Sequence, residues 1–213
     1  MPDTHAGTTY DRIASHFSKT REYAWPEIEA FLEGRSGDVG LDLGCGNGRH
    51  AEVLATHTQR VVGVDASRGL LAEAADRARE RGFDLDLAVG DAGSVPLRDD
   101  SVDLGLYVAT IHHLRPRERR LASLNELARV LTPGGRALVS AWSTAHSRFE
   151  DEETTGSGLD TNVDWTLPGG ETVPRYYHVY DPEEFDRELA ESALVVESSE
   201  VSSGNCYAVV RSQ

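Results

Sequence analysis

Lysine is almost missing from this chain: Lys19 is the one example, and every other strong base is arginine. Lysine and arginine together number 21 against 36 acids, a net charge of −15. Such a surface repels itself in dilute buffer and is tolerable where salt screens it, so the composition reads as adaptation to a high-salt cytoplasm of the haloarchaeal type. Acidity of this order ordinarily argues against a nucleic-acid ligand. In molar salt the counterion-release gain of basic patches has largely gone, so the charge decides neither way. The two cysteines, Cys45 and Cys206, are far apart and give neither a disulfide framework nor a zinc spacing, and no metal site is expected. No apolar run reaches the ~18 residues of a membrane-crossing helix. The opening residues, with Asp3, His5 and Thr8, lack the blocks of a signal peptide. A single cytoplasmic domain is the expectation from 213 residues.

What the chain does have is organised around Leu41-Asp42-Leu43-Gly44-Cys45-Gly46-Asn47-Gly48-Arg49. The run Val39 to Leu43 reads as a buried strand, the glycines as a tight turn, and Arg49 to Thr56 as a helix. Strand, glycine turn and helix together bring backbone N–H groups and a helix N-terminus up to an anionic ligand. Gly44, Gly46 and Gly48 permit the turn and leave the approach open, and Cys45 fits it as a small side chain. Asp42 is the unusual member, an acid ending an apolar strand. A pyrophosphate above it would be repelled, whereas a ligand carrying an ammonium group beside its carboxylate would be favoured. S-adenosylmethionine has both.

Downstream, strands alternate with helices. Arg60 to Asp65, Asp84 to Val89, Val102 to Val108 and Arg136 to Trp142 read as strands; Leu70 to Arg81, closed by Gly82, and Pro116 to Leu131 read as helices. Ahead of them, Tyr10 to Phe17 and Pro26 to Leu32 carry apolar residues at helical spacing, while residues 1–9 read as disordered. A polar, Gly- and Thr-rich insertion occupies Ser143 to about Thr172. Pro182 to Glu191 reads as a helix, and Leu194 to Val201 and Asn205 to Val210 as a closing antiparallel pair. This order predicts an α/β fold of Rossmann-like type: a seven-stranded, mostly parallel sheet ending in an antiparallel hairpin, with helices on both faces. The chain divides into an N-terminal helical lid (1–37), a ligand-binding core (38–142), an insertion (143–180) and a closing segment (181–213). Ligands in such sheets sit at the carboxyl ends of the strands. Asp65, 17 residues past Gly48, has the position of a ribose-binding acid, with a helix N-cap as the alternative. Asp91 and Ala92 stand where an adenine edge would be read, with a plain turn as the alternative. Ala66 and Val108 fall at neighbouring strand ends.

The set Asp-Leu-Gly-Cys-Gly-Asn-Gly, Val-Gly-Val-Asp, Val-Gly-Asp-Ala and Leu-Thr-Pro-Gly-Gly resembles the class I S-adenosylmethionine-dependent methyltransferases over roughly residues 39–142. A narrower resemblance runs through Phe17 to Arg21, Trp25-Pro26, Ile111 to Arg120 and Arg175 to Tyr180. These segments are similar to the tRNA wobble-uridine carboxymethyl methyltransferases, the group that includes the methyltransferase half of the AlkB-like tRNA-modifying protein. That resemblance implies S-adenosyl-L-methionine as cofactor, a tRNA acceptor esterified on a 5-carboxymethyl group, and a small zinc-binding activator subunit. It also implies an acceptor site built from Arg21 and His113, with Trp25, His112, Trp165, Arg175, Tyr176, His178 and Asn205 around the substrate. The strand Asp84 to Val89 is then a sheet edge on which the activator would add a strand. A carboxylate acceptor is already ionised at neutral pH, so no general base is required, and none stands out in the sequence. The four arginines Arg115, Arg117, Arg119 and Arg120 read either as a phosphate-tracking rim or as a solvated helix start paired with acids. The competing functions are methyl transfer to a small molecule or a protein, and a cofactor-binding scaffold without turnover.

Overall fold

Five strands rich in Val and Leu lie side by side in parallel: β1 (Gly37–Leu43), β2 (Thr58–Asp65), β3 (Asp86–Val89), β4 (Val102–Val108) and β5 (Leu131–Trp142). This computed structural model describes residues 4–149 and 156–213. Two further strands, β8 (Leu194–Ser202) and β9 (Asn205–Ser212), join antiparallel to β5 and complete the order β3-β2-β1-β4-β5-β9-β8. The reversal of strand order beside β1 makes its carboxyl end, with those of β2 and β4, the natural ligand crevice. The sequence predicts this sheet, with its antiparallel close, correctly.

Alternation along the strands feeds two cores. Leu41, Leu43, Val62, Val64 and Val139 pack on one face against Leu124 and Leu127 of α5 (Arg117–Val130) and Phe185 and Leu189 of α6 (Pro182–Glu191). On the other face Val61, Leu104, Leu106 and Leu138 meet Ile28, Phe31 and Leu32 of α2 (Pro26–Leu32) and Ala51 and Leu54 of α3 (Arg49–Leu54). A strand's period of two makes both faces apolar, and helices cover both. β5 begins irregularly. Its pairing with β4 jumps between Val102 and Leu104, where Pro133 and the left-handed Gly134 interrupt the ladder.

One expectation fails. Residues 4–9 belong to α1 (Thr4–Lys19) instead of a disordered leader; residues 1–3 lie outside the described part. Small residues dock the first turns of this helix, ahead of the buried Ile13. A side chain on Gly7 would meet the Ala66 carbonyl, and Asp11 accepts from the Ser67 hydroxyl (2.7 Å) and the Gly69 N–H (2.8 Å) at the start of α4 (Arg68–Arg81). The insertion, whose conformation the sequence leaves open, supplies strands. β6 (Leu159–Thr166) and β7 (Thr172–Val179) form a separate antiparallel ribbon, in which Leu159, Thr161, Val163 and Trp165 are the more buried residues of β6 and Asp160, Asn162 and Asp164 are exposed.

Candidate active site

A crevice opens at the carboxyl ends of β1, β2 and β4 and is roofed by Ala6, Gly7, Tyr10 and Phe17 of α1. Gly44, Cys45, Gly46, Asp65, Ala66, Asp91, Ala92 and Val108 all line it, so every cofactor residue expected from the sequence is there except Asp42. Gly44 has φ +76°, and a side chain on it would run into Thr110. At Gly46 (φ +54°) the only neighbour of an added carbon is the Phe17 ring at 3.9 Å, so the missing side chain leaves room toward the roof.

Four of the loop's backbone donors are not aimed at a ligand, contrary to expectation. The N–H groups of Gly44 (2.7 Å) and Cys45 (3.1 Å) both donate to the Val64 carbonyl, that of Gly48 to the Cys45 carbonyl (2.9 Å), and that of Gly46 to Asp65 Oδ2 (2.8 Å). What the loop offers is close approach. Cationic donors come instead from Arg49, which lines the crevice with its guanidinium carbon 5.1 Å from the Trp25 ring, and from Arg21 near the rim, 5.6 Å from the rings of Phe17 and Trp165. Neither arginine has an acidic partner among the described residues. Burial and then Arg21 lower the Arg49 pKa to about 10. Asn47 ties the two segments together by donating to the Arg21 carbonyl (2.9 Å).

Three carboxylates stand on the opposite side of the balance. Asp65 also accepts the Ser67 N–H (2.8 Å) on Oδ1; burial raises its pKa and these backbone donors oppose the rise. The N-cap of α4 is Ser67 itself, which leaves Asp65 as the organiser of the glycine loop. Asp91 takes the Gly93 N–H (2.8 Å) in a tight turn and an ion pair from Arg119 (2.5 Å). Asp42 lies beneath the crevice, 1 % exposed, with a backbone hydrogen bond from Ala51 near the start of α3 and an Oδ2 that has no partner. Burial first, then the charge of Asp65, push its carboxyl up to about 7.

That position has a measurable consequence. Because the folded-state pKa is above the usual carboxylate value, the folded protein holds more protons than the unfolded chain between about pH 4 and pH 7. Stability therefore falls as pH rises through that window. Asp42→Asn removes the slope and is expected to be more stable than the parent at pH 8 by about 2–4 kcal/mol, with little difference at pH 4. Denaturant midpoints of both proteins at the two pH values check this; a variant less stable at pH 8 contradicts it.

Beside the crevice lies the second half of the site. The short 3₁₀ turn Ile111–His113 after β4 splits the histidine pair. His113 lines the crevice; its Nδ1 lies 2.8 Å from the Tyr176 carbonyl and so carries the proton, and its Nε2 accepts from the Tyr10 hydroxyl (2.9 Å). Burial pushes its pKa down to about 4, so it is neutral near pH 7 and has no free donor for an anion; it positions Tyr10. His112 is 3 % exposed, outside the crevice, and accepts the Trp142 N–H on Nδ1 (2.9 Å), pinning the turn to β5. The cation in this region is Arg175. It is 8 % exposed and lies with Cζ 4.8 Å from the Trp165 ring and 5.2 Å from Tyr177. Its Nη1 donates to the hydroxyls of Tyr177 (2.7 Å) and Tyr10 (3.5 Å), and its Nε has no partner. No carboxylate pairs with it among the described residues. Trp165 is held by His16 (3.0 Å).

Other expected substrate residues sit elsewhere. Trp25 lines no part of the crevice and backs Arg49 and His50. His178 is turned between Asp160 (2.7 Å) and Glu184 (3.1 Å), joining the ribbon to α6. Asn205 opens β9, just after the turn in which Ser203 and Gly204 are left-handed, and donates to the Ser203 carbonyl (3.3 Å). Tyr176 borders a side pocket with Tyr10, His113, Arg115, Asn162 and Arg175. Of the arginine cluster, Arg117 and Arg120 are paired with Glu188 and Arg119 with Asp91, which leaves Arg115 alone available for a phosphate role. Tyr10, Tyr177 and Arg49 are among the residues that sequence reading missed. Tyr10 carried only the signal of a polar helix start, and Tyr177 was one member of an aromatic run with no sign of which members turn inward.

The methyltransferase-domain family pattern matches residues 41–139. The tRNA (carboxymethyluridine(34)-5-O)-methyltransferase of Schizosaccharomyces pombe is 30% identical over 204 residues, covering 86% of this chain and 85% of that protein. The tRNA (carboxymethyluridine(34)-5-O)-methyltransferase ALKBH8 of Mus musculus is 42% identical over 144 residues, 67% of this chain but 20% of the mouse protein, so the chain spans about a fifth of that relative. Among solved structures, the complex between the Haloferax volcanii Trm112 methyltransferase activator and the putative methyltransferase has a TM-score of 0.70 at 18% identity, covering 97% of each chain; this is a likeness of fold. The donor set fits the cofactor of that fold, with arginines for a carboxylate, acids at the neighbouring strand ends and a buried acid below whose Oδ2 has no partner and suits a cationic ligand. The chain is a class I S-adenosylmethionine-dependent methyltransferase and belongs to the family of the tRNA (carboxymethyluridine(34)-5-O)-methyltransferases.

Proposed function

We propose that this enzyme esterifies the carboxylate of a 5-carboxymethyl group on the wobble uridine of a tRNA, assisted by a small zinc-binding activator subunit. The observation that carries the reading is Arg175. A buried guanidinium without a carboxylate is costly in a chain so rich in acids, and an anionic acceptor that enters the pocket compensates it. Bound S-adenosylmethionine supplies an electrophilic methyl group on a sulfonium. Arg49 and Arg21 hold its carboxylate end, Asp65 its ribose hydroxyls, and Asp91 with Ala92 its adenine edge, while Asp42 below, poised to ionise near pH 7, favours its positive charges. Arg175 steers the acceptor carboxylate without taking the lone pair that attacks, and Tyr10, fixed by His113, keeps the guanidinium in place. Most of the rate then comes from placement, because the nucleophile is ionised and needs no base.

The activator reading rests on the sheet edge. β3 pairs on one side only, Val89 is 46% exposed, and Asp86 is drawn into an ion pair with Arg60 (2.5 Å) so that it does not blunt the edge. Co-expression with a zinc-ribbon partner is expected to raise soluble yield severalfold and to be undone by Leu87→Pro; equal yields alone and together would remove this part. The acceptor class is tested with methyl-labelled cofactor in high salt. Label is expected on tRNA and is expected to leave under mild alkali, as an ester does. Label on protein or metabolites alone would overturn the reading.

A further inference from the structure

Arg115 is exposed and sits between the 3₁₀ turn and α5, with its guanidinium carbon 4.7 Å from the Tyr176 ring. It has no acidic partner among the described residues. Asp160, which lines the same outer cleft, is already taken: Oδ1 accepts the Tyr176 hydroxyl (2.7 Å) and lies 2.7 Å from His178 Nδ1. Tyr176 is fixed at two points, through that hydroxyl and through its backbone carbonyl, which accepts from His113. The platform under Arg115 is therefore rigid and tied directly to the active site.

Arg115 and Tyr176 border two clefts at once. One is the side pocket that holds Arg175 and Tyr10; the other opens outward past Pro116 and Arg117. The pair thus forms a saddle between the acceptor pocket and the outer cleft. A guanidinium seated over a phenol ring, as Arg115 is 4.7 Å from the Tyr176 centroid, can offer its outer side to another flat group and its edge N–H groups to an oxyanion. A planar group followed by a phosphate is what each nucleotide of an unstacked strand presents.

We infer that Arg115, seated on Tyr176, stacks on the base next to the methylated nucleotide and binds the phosphate between them. This rests on the tRNA reading above and deepens it, since it assigns the path of the strand outside the acceptor pocket. In molar salt the charge of Arg115 is screened, so the plane, more than the charge, carries the contact.

The test uses an anticodon stem–loop RNA with 5-carboxymethyluridine at the wobble position, with the intact protein and its activator in high salt. Arg115→Ala is expected to raise KM for this RNA roughly tenfold, within the range of a lost base-stacking contact. The kcat, the cofactor Kd and the thermal midpoint are expected to stay unchanged, because Arg115 makes no buried contact. Arg115→Lys keeps the charge but not the plane and should behave like the alanine variant; full rescue by lysine would overturn the stacking assignment. The stem–loop is also made with an abasic residue on either side of the target. At one of the two positions the abasic change should weaken wild type roughly tenfold and add nothing to Arg115→Ala. Additive losses at both positions would overturn the inference while leaving the acceptor intact. If wild type neither binds nor methylates the stem–loop, the acceptor reading itself falls and this inference with it.

Discussion

Arg175→Met is expected to lower methyl transfer to tRNA by on the order of a thousandfold while leaving the cofactor Kd within twofold of wild type. The size follows from the loss of one interaction. A charged hydrogen-bonding group that orients an anion in a water-poor pocket contributes about 3–4 kcal/mol when its partner is present at the transition state. The cofactor should not notice, because Arg175 lines the side pocket and not the crevice around the glycine loop. The same substitution separates function from structure. Most arginines buried to this degree are held by acids, as Arg120 is by Glu188 (2.7 Å), and removing them unfolds the site. Arg175 has no such acid, so an apolar side chain of similar length removes an uncompensated charge, and the thermal midpoint is expected to hold or rise. A fall of several degrees together with weakened cofactor binding would make Arg175 a structural residue.

Asp65→Ala has the complementary signature. Cofactor affinity is expected to fall on the order of a hundredfold, and stability by about 2–3 kcal/mol. Both come from the same geometry. The carboxylate receives the N–H groups of Gly46 and Ser67, and its loss leaves two donors without acceptors in a tight loop. Its remaining lone pairs face the crevice, where a pair of ribose hydroxyls would meet them. Asp65→Asn keeps one acceptor and is expected to fall between the two, with less loss of stability than of affinity. Calorimetric titration with the cofactor, read beside denaturant curves, distinguishes this from a carboxylate that only caps the loop: a pure capping role predicts loss of stability with unchanged affinity once the protein is folded.

Most of the sheet was legible because its strands are buried on both faces and write themselves as apolar runs bounded by glycine. The strand ends that hold Gly44, Asp65, Asp91 and His113 followed from topology, since a parallel sheet collects its carboxyl ends along one edge. What could not be read is direction. The sequence of the glycine loop permits its N–H groups to point at a ligand, and only the fold reveals that Val64 and Asp65 consume them. The histidine pair is a similar case. A 3₁₀ turn separates consecutive side chains by about 120°, so one of two neighbours reaches the crevice while the other enters the core. The missed first turns of α1 have a different cause: Ala6 and Gly7 dock by being small, and smallness without apolar bulk does not register as a core signal. In the ribbon β6–β7 the alternation was present, in Leu159, Thr161, Val163 and Trp165, but its outward residues Asp160, Asn162 and Asp164 resemble those of a loop. Acceptor residues suffered most, because Trp25, His178 and Asn205 lie on elements that support the site from behind.

The most direct measurement is the chemical identity of the product. tRNA methylated with labelled cofactor in molar potassium chloride, with activator present, is digested to nucleosides and the labelled species is separated and weighed. The expected result is a single labelled uridine from the wobble position whose mass is that of the methyl ester of the carboxymethyl derivative, and which returns to the free acid in mild alkali. Label in any other nucleoside, or in a form that survives alkali, would contradict an anionic carboxylate as the group that Arg175 holds.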